Sequence, residues 1–163
     1  MWIRLQEKIK SFKRDERGLQ LVELAIVLPV LIVLFAGVAE FGRYFQTYTT
    51  LDKGSRVAAR FLATASANGV DDAAAKNLVV YGNLAGSGNP IVAGLTTDNV
   101  TITRRNSAGA VTSGFPSTVT IEITNFKHTP VFDLGKLMNS SLSLNVDVKP
   151  SVTMRYLLPQ SPI

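Results

Sequence analysis

Hydrophobic positions follow three patterns in turn along this chain. From Leu19 to Ala39 the residues are apolar on every side of a helical projection, with Glu23 the only ionisable group. A run of that length can cross a hydrocarbon core of about 30 Å as a helix. A helix apolar all round has no polar face to offer water. Pro29 lies inside the run and removes a helical hydrogen bond, which membrane helices tolerate better than soluble ones. From Tyr44 a helical period takes over. Tyr44, Tyr48, Leu51, Ser55, Ala58 and Leu62 are spaced alternately by four and three, while Arg43, Lys53, Arg56 and Arg60 mostly lie off that stripe. The spacing predicts one helix from about Leu19 to Ala67, about 74 Å long at 1.5 Å per residue. Its outer half is amphipathic and needs a partner surface.

The third pattern supplies that surface. Asp71 or Asp72 can cap a short helix through about Tyr81, with Gly82 as its stop. Gly82 to Pro90 is rich in Gly, Ser and Asn and reads as a loop. Period-two alternation then predicts strands at Val100 and Ile102, at Val119, Ile121 and Ile123, at Leu142, Leu144, Val146 and Val148, and at Val152, Met154 and Tyr156. Thr129-Pro130 opens a possible short helix through Met138, against which Gly135 argues. The predicted class is α+β, with one long N-terminal helix packed by its stripe on a small antiparallel β-sheet.

Charge adds an orientation. The net charge of +5 over 163 residues comes largely from Met1 to Gly18, where Arg4, Lys8, Lys10, Lys13, Arg14 and Arg17 outnumber Glu7, Asp15 and Glu16. Positive charge beside an apolar span is retained in the cytoplasm. The same leader also reads as a basic amphipathic helix, with Trp2, Ile3, Leu5, Ile9 and Phe12 touching the membrane surface. Without the leader little excess charge remains, so no nucleic-acid partner is expected. There is no cysteine, which excludes disulfides, thiolate chemistry and a lipidated cysteine anchor. The organisation expected is a leader over 1–18, a transmembrane segment over 19–39 and a domain over 40–163, whose helix 40–67 continues the span.

Glu23 requires a reason. A carboxylate at mid-bilayer costs roughly 2.5–3.5 kcal/mol on insertion scales, although a place near the end of the span lowers this. Gly18 stands five residues before it, at the end of the basic leader. The stretch Arg17-Gly18-Leu19-Gln20-Leu21-Val22-Glu23-Leu24-Ala25-Ile26-Val27-Leu28-Pro29 resembles the start of TadE-like minor pilins, the pseudopilins of the Tad (Flp) pilus system. Glu40-Phe41-Gly42-Arg43 and Gly54-Ser55-Arg56-Val57-Ala58-Ala59-Arg60 also fit that family, and the strong match covers about Arg17 to Ala65. Beyond it the chain matches only in pattern, ending on Val152 to Arg155.

The resemblance implies a pilin-like fold and a structural role in pilus biogenesis. Gly18 would be the last leader residue, and its bond to Leu19 the one cut by a membrane aspartyl prepilin peptidase. Glu23 would be the processing and assembly glutamate. The implied partners are the inner membrane, the prepilin peptidase, the major Flp pilin and other minor pilins. Leu24 stands where the major pilins of this system usually have Tyr, and those pilins are far shorter; both points favour a minor subunit. Leu19 in place of Phe argues against a standard type IVa pilin. There is also a physical case for Glu23. A cut before Leu19 creates a free amine, and a carboxylate one helical turn away can pair with it at the membrane boundary.

Other candidate sites are weaker. His128, the only histidine, reads as an ordinary surface or strand-end residue, and no second histidine or cysteine exists to build a zinc site. Asp71-Asp72 reads as a helix cap before a metal pair. Gly82, Gly86 and Gly88 lack the strand and helix context of a phosphate loop. Arg104-Arg105 reads as a solvated hairpin end. Asn99-Val100-Thr101 and Asn139-Ser140-Ser141 match the glycosylation sequon and carry little weight. No enzyme activity, cofactor or metal is expected. Two other readings stay open. One is a secreted soluble protein with a signal peptide cut after Ala39. The other is a periplasmic binding protein or enzyme anchored permanently by an uncut leader. The mature N-terminus separates them: Leu19, Glu40 or Met1.

Overall fold

The computed structural model describes residues 16–133, 135–136, 143 and 145–157, with side chains from Gly18 onward. Helix α1 runs over Glu16–Ala63 and contains Pro29 without interruption. The chain divides into two compact units between Ala39 and Glu40. In the first, the large apolar side chains from Leu19 to Val38 are exposed, except the half-buried Val33. Mean hydropathy there reaches 2.8, and among the described residues this is the one helix long and apolar enough to cross a membrane. The amphipathic leader helix expected over Trp2 to Phe12 lies outside the described residues.

The second unit is α+β. It holds the outer half of α1, helix α2 (Asp72–Tyr81), a 3-10 turn (Thr97–Asn99) and strands β1 (Val100–Arg105), β2 (Thr118–Ile123) and β3 (Ser151–Arg155). The strands form one antiparallel sheet in the order β1-β2-β3. The register puts Val100 opposite Ile123, Ile102 opposite Ile121 and Val119 opposite Met154. Alternation along each strand turns these residues to one face. Leu51, Ala58, Ala59, Leu62 and Ala63 of α1 share a single buried cluster with Val119, Ile121 and Ile123 of β2 and with Ala75, Val79 and Val80 of α2. The long helix thus packs against the three-stranded sheet in a pilin-like arrangement.

The predicted stripe is buried at Leu51, Ser55, Ala58 and Leu62, whereas Tyr48 is exposed. A period of 3.6 leaves residues three and four positions before Leu51 on either side of the stripe. The buried face takes the half-buried Thr47 instead. Helix α1 ends at Ala63, four residues short of the expectation. Thr64 N and Ala65 N turn back to the carbonyls of Phe61 and Leu62, and Ala63 O accepts Leu157 N at 3.0 Å. A chain segment beyond β3 thereby takes over one of the terminal carbonyls that another helical turn would have satisfied. Helix α2 and its stop agree with the sequence: Gly82 adopts left-handed φ 70° and returns its N–H to Leu78 O.

Two expected elements are different. Leu142 and Leu144 lie outside the described residues, and Asn145 to Val148 form no strand, only a bridge between Lys127 and Asp147. Ile123 N bonds Pro150 O, but Val148 N bonds Phe126 O. Three residues on one side therefore face two on the other. Asn125, at φ 56°, takes up the extra residue. This bulge breaks the ladder, and Pro150 has no N–H with which to resume it. The helix expected from Thr129-Pro130 does not start there. Thr129 to Asp133 are non-helical, because the amides of Val131 and Phe132 are held by a side chain of α1. Gly135 and Lys136 are helical, and residues 134 and 137–142 lie outside the described residues.

Candidate functional site

Gly18, Leu19 and Glu23 all lie in the first turns of α1, and all three are exposed. Among the described residues no ion pair includes Glu23. Glycine inside a helix costs about 1 kcal/mol relative to alanine. Among the described residues Gly18 does not offset that cost by packing, since a Cβ there would meet nothing within 4 Å. Gly54 is the contrast. A Cβ at that position would stand 3.3 Å from the Val79 carbonyl oxygen, so glycine lets α1 and α2 approach closely.

Glu40, the first residue of the second unit, is fully buried. Its Oε1 accepts His128 Nε2 at 2.9 Å, and its Oε2 accepts the backbone N–H groups of Val131 and Phe132 at 3.2 Å each. Arg43 Nε lies 3.7 Å away and is half exposed. Burial opposes the charge, but the bonds from His128, Phe132 and Val131 and the field of Arg43 outweigh it, so the carboxyl ionises below its usual range. Tyr44 meets the His128 ring edge to face, with centroids 5.6 Å apart at 88°. His128 is therefore a buried partner and not the surface residue expected. The sequence did hold a signal for this. Extending the helical stripe back one turn from Tyr44 reaches Glu40.

Arg104 corrects a second expectation. Its side chain is only 10% exposed. It makes a bidentate pair with Asp72, Nη1 reaching Oδ2 at 3.0 Å, and its Nε donates to Tyr156 Oη at 2.9 Å. The bonds to Asp72 raise the guanidinium pKa despite partial desolvation, and Tyr156 adds to them. Parity explains the placement, since Val100, Ile102 and Arg104 share the inner face of β1. Arg105, one residue on, is exposed as expected. Asp72 is thus the anchor of an ion pair, and Asp71, at the cap position, makes no side-chain capping bond. Asn99 donates to the carbonyls of Thr124 and Asn125, so that sequon serves the fold, and Asn139 lies outside the described residues. Among the described residues no three metal-ligating side chains come together.

Gly18, Glu23, Glu40 and Gly54 fall in one contiguous stretch. Residues 18–60 match the family model of the TadE-like proteins. Over this segment the chain is similar to the TadE-like proteins. The TadE-like segment covers nearly all of α1 and ends before α2 and the sheet. No curated protein and no solved structure matches the chain.

Proposed function

We propose that this TadE-like protein is a minor pilin, a membrane-inserted structural subunit for biogenesis of the Tad (Flp) pilus. The observation that carries this reading is the placement of Gly18, Leu19 and Glu23 at the head of an exposed apolar helix, within the TadE-like segment. A row of large exposed aliphatic side chains is unfavourable in water and favourable in a bilayer or among other apolar helices. Among the described residues Gly18 has no packing reason, which supports a reason in another molecule, a prepilin peptidase that cuts between Gly18 and Leu19. The leader then faces the cytoplasm, residues 19–39 span the inner membrane and the domain from 40 onward is periplasmic. Glu23 neutralises the new amine of Leu19, within one subunit or between neighbours. The partners are other pilus subunits, the major Flp pilin and further minor pilins.

The continuity of α1 across Ala39 and Glu40 weighs against a signal-peptide cut at that bond. Intact mass of the membrane-extracted protein tests the proposal directly. The expected N-terminus is Leu19, changing to Met1 in cells without the peptidase. The same N-terminus in both strains would overturn processing at Gly18.

A further inference from the structure

Glu40 directly follows Ala39, the last residue of the apolar run. By its bonds to Val131 N, Phe132 N and His128, it staples the loop 129–133 to the helical turn that leaves the span. The loop's amides are occupied at Glu40, while its side chains are open: Val131 is 61% and Phe132 54% exposed. On the helix, Phe41 and Phe45, one turn apart, are 60% and 59% exposed. Single exposed apolar residues are ordinary, but Val131 and Phe132 are consecutive and both are open on a loop tied to Glu40. The polar layer of a bilayer leaflet is roughly 5–8 Å deep.

The chemistry fits that layer. Backbone N–H groups entering a poorly hydrated region must be satisfied by the protein itself, and the Glu40 carboxylate does this for two consecutive residues. Arg43 and Lys127 line a cleft with Thr47 and Thr129 beside His128, which gathers two cations and two hydroxyls close to the loop. We propose that loop 129–133 docks into the membrane interface, with Val131 and Phe132 entering the boundary of headgroups and acyl chains beside the span, and with Arg43 and Lys127 facing lipid phosphates. The domain would then be held against the bilayer by a second contact besides its helix.

The inference rests on residues 19–39 being a span, and the test separates the two ideas. The chain has no cysteine, so Phe132→Cys, Val30→Cys and Phe115→Cys in the full chain each carry one environment-sensitive fluorophore. Val131→Cys provides a second loop position if Phe132→Cys does not accumulate. The proteins are reconstituted in phosphatidylcholine–phosphatidylglycerol vesicles containing lipids spin-labelled near the headgroup or along the acyl chain. Acyl-chain labels should quench position 30, labels near the headgroup should quench position 132, and position 115, before the far end of β2, should be quenched by neither. Adding Glu40→Ala should cut quenching at 132 at least twofold and leave position 30 unchanged. Quenching at 132 no greater than at 115, with 30 quenched, overturns the docking alone. An unquenched position 30 overturns the span. A blue shift at 132 that fades on dilution of the protein in lipid, without quenching, would assign the face to a second copy and overturn the proposal.

Discussion

A buried carboxylate is tolerated only where donors replace the water it has lost. Glu40 has three hydrogen-bond donors and a nearby guanidinium. Glu40→Gln keeps the shape but loses the charge, and should cost about 1–3 kcal/mol at neutral pH. The sign of the pH dependence follows from the depressed pKa. Stability from the carboxylate is present in full above the unfolded value, near 4.5, and is lost as pH falls through the lower folded value. Urea unfolding of the wild type and Glu40→Gln should therefore give a gap at pH 7 that narrows at pH 3. A gap independent of pH would assign the effect to packing. The Asp72–Arg104 pair allows a second comparison. Asp72→Asn leaves a largely buried guanidinium without its counter-charge and should cost about 2 kcal/mol. Asp52→Asn, which breaks the exposed pair with Arg56 at 2.9 Å, should cost less than about 1 kcal/mol.

Helix α1 changes surroundings along its length, and its packing face follows side-chain size. At Gly54 the constraint is the Val79 backbone, which cannot swing aside as a side chain can. Gly54→Val should destabilise the second unit by about 1–3 kcal/mol through overpacking. Ser55 is fully buried, and its hydroxyl has no hydrogen-bond partner among the described residues. Ser55→Ala removes the uncompensated oxygen and should leave stability unchanged or raise it by about 1 kcal/mol. Thermal unfolding followed by circular dichroism in one detergent measures both. A clear loss from Ser55→Ala would mean that the hydroxyl has a partner in the folded protein.

For the whole molecule, the prediction with most at stake concerns Glu23. Glu23→Ala makes the apolar run more apolar, so insertion should persist. The second unit should fold, since its core is drawn from residues beyond Glu40. Processing, assembly or both should fail. Glu23→Gln cannot neutralise an amine and should behave nearly as badly. Peptidase processing and surface piliation are the measurements, and wild-type values for both variants at normal protein levels would reduce Glu23 to a marker of the aqueous edge of the span. Reporter fusions after Ala67 should be active only for a periplasmic enzyme, and a cytoplasmic signal would reverse the orientation.

The apolar run, the stripe from Leu51 to Leu62, the helix ending at Gly82 and three of the four strands were legible in the sequence. Each depends on periodicity or on one residue's backbone preference, and both are local properties. The proposed site at Gly18, Leu19 and Glu23 is one short contiguous motif, so its reading uses neighbouring residues alone. What only the tertiary structure decided was pairing across distance. Glu40 and His128 are 88 residues apart, and nothing local to either says that the other will satisfy it. Arg104 read as solvated until Asp72 and Tyr156 came within reach. The stretch at Asn145 to Val148 alternates as a strand should, but it lost its ladder to a bulge at Asn125, because a strand exists only where another segment's hydrogen-bonding groups stay in register with it.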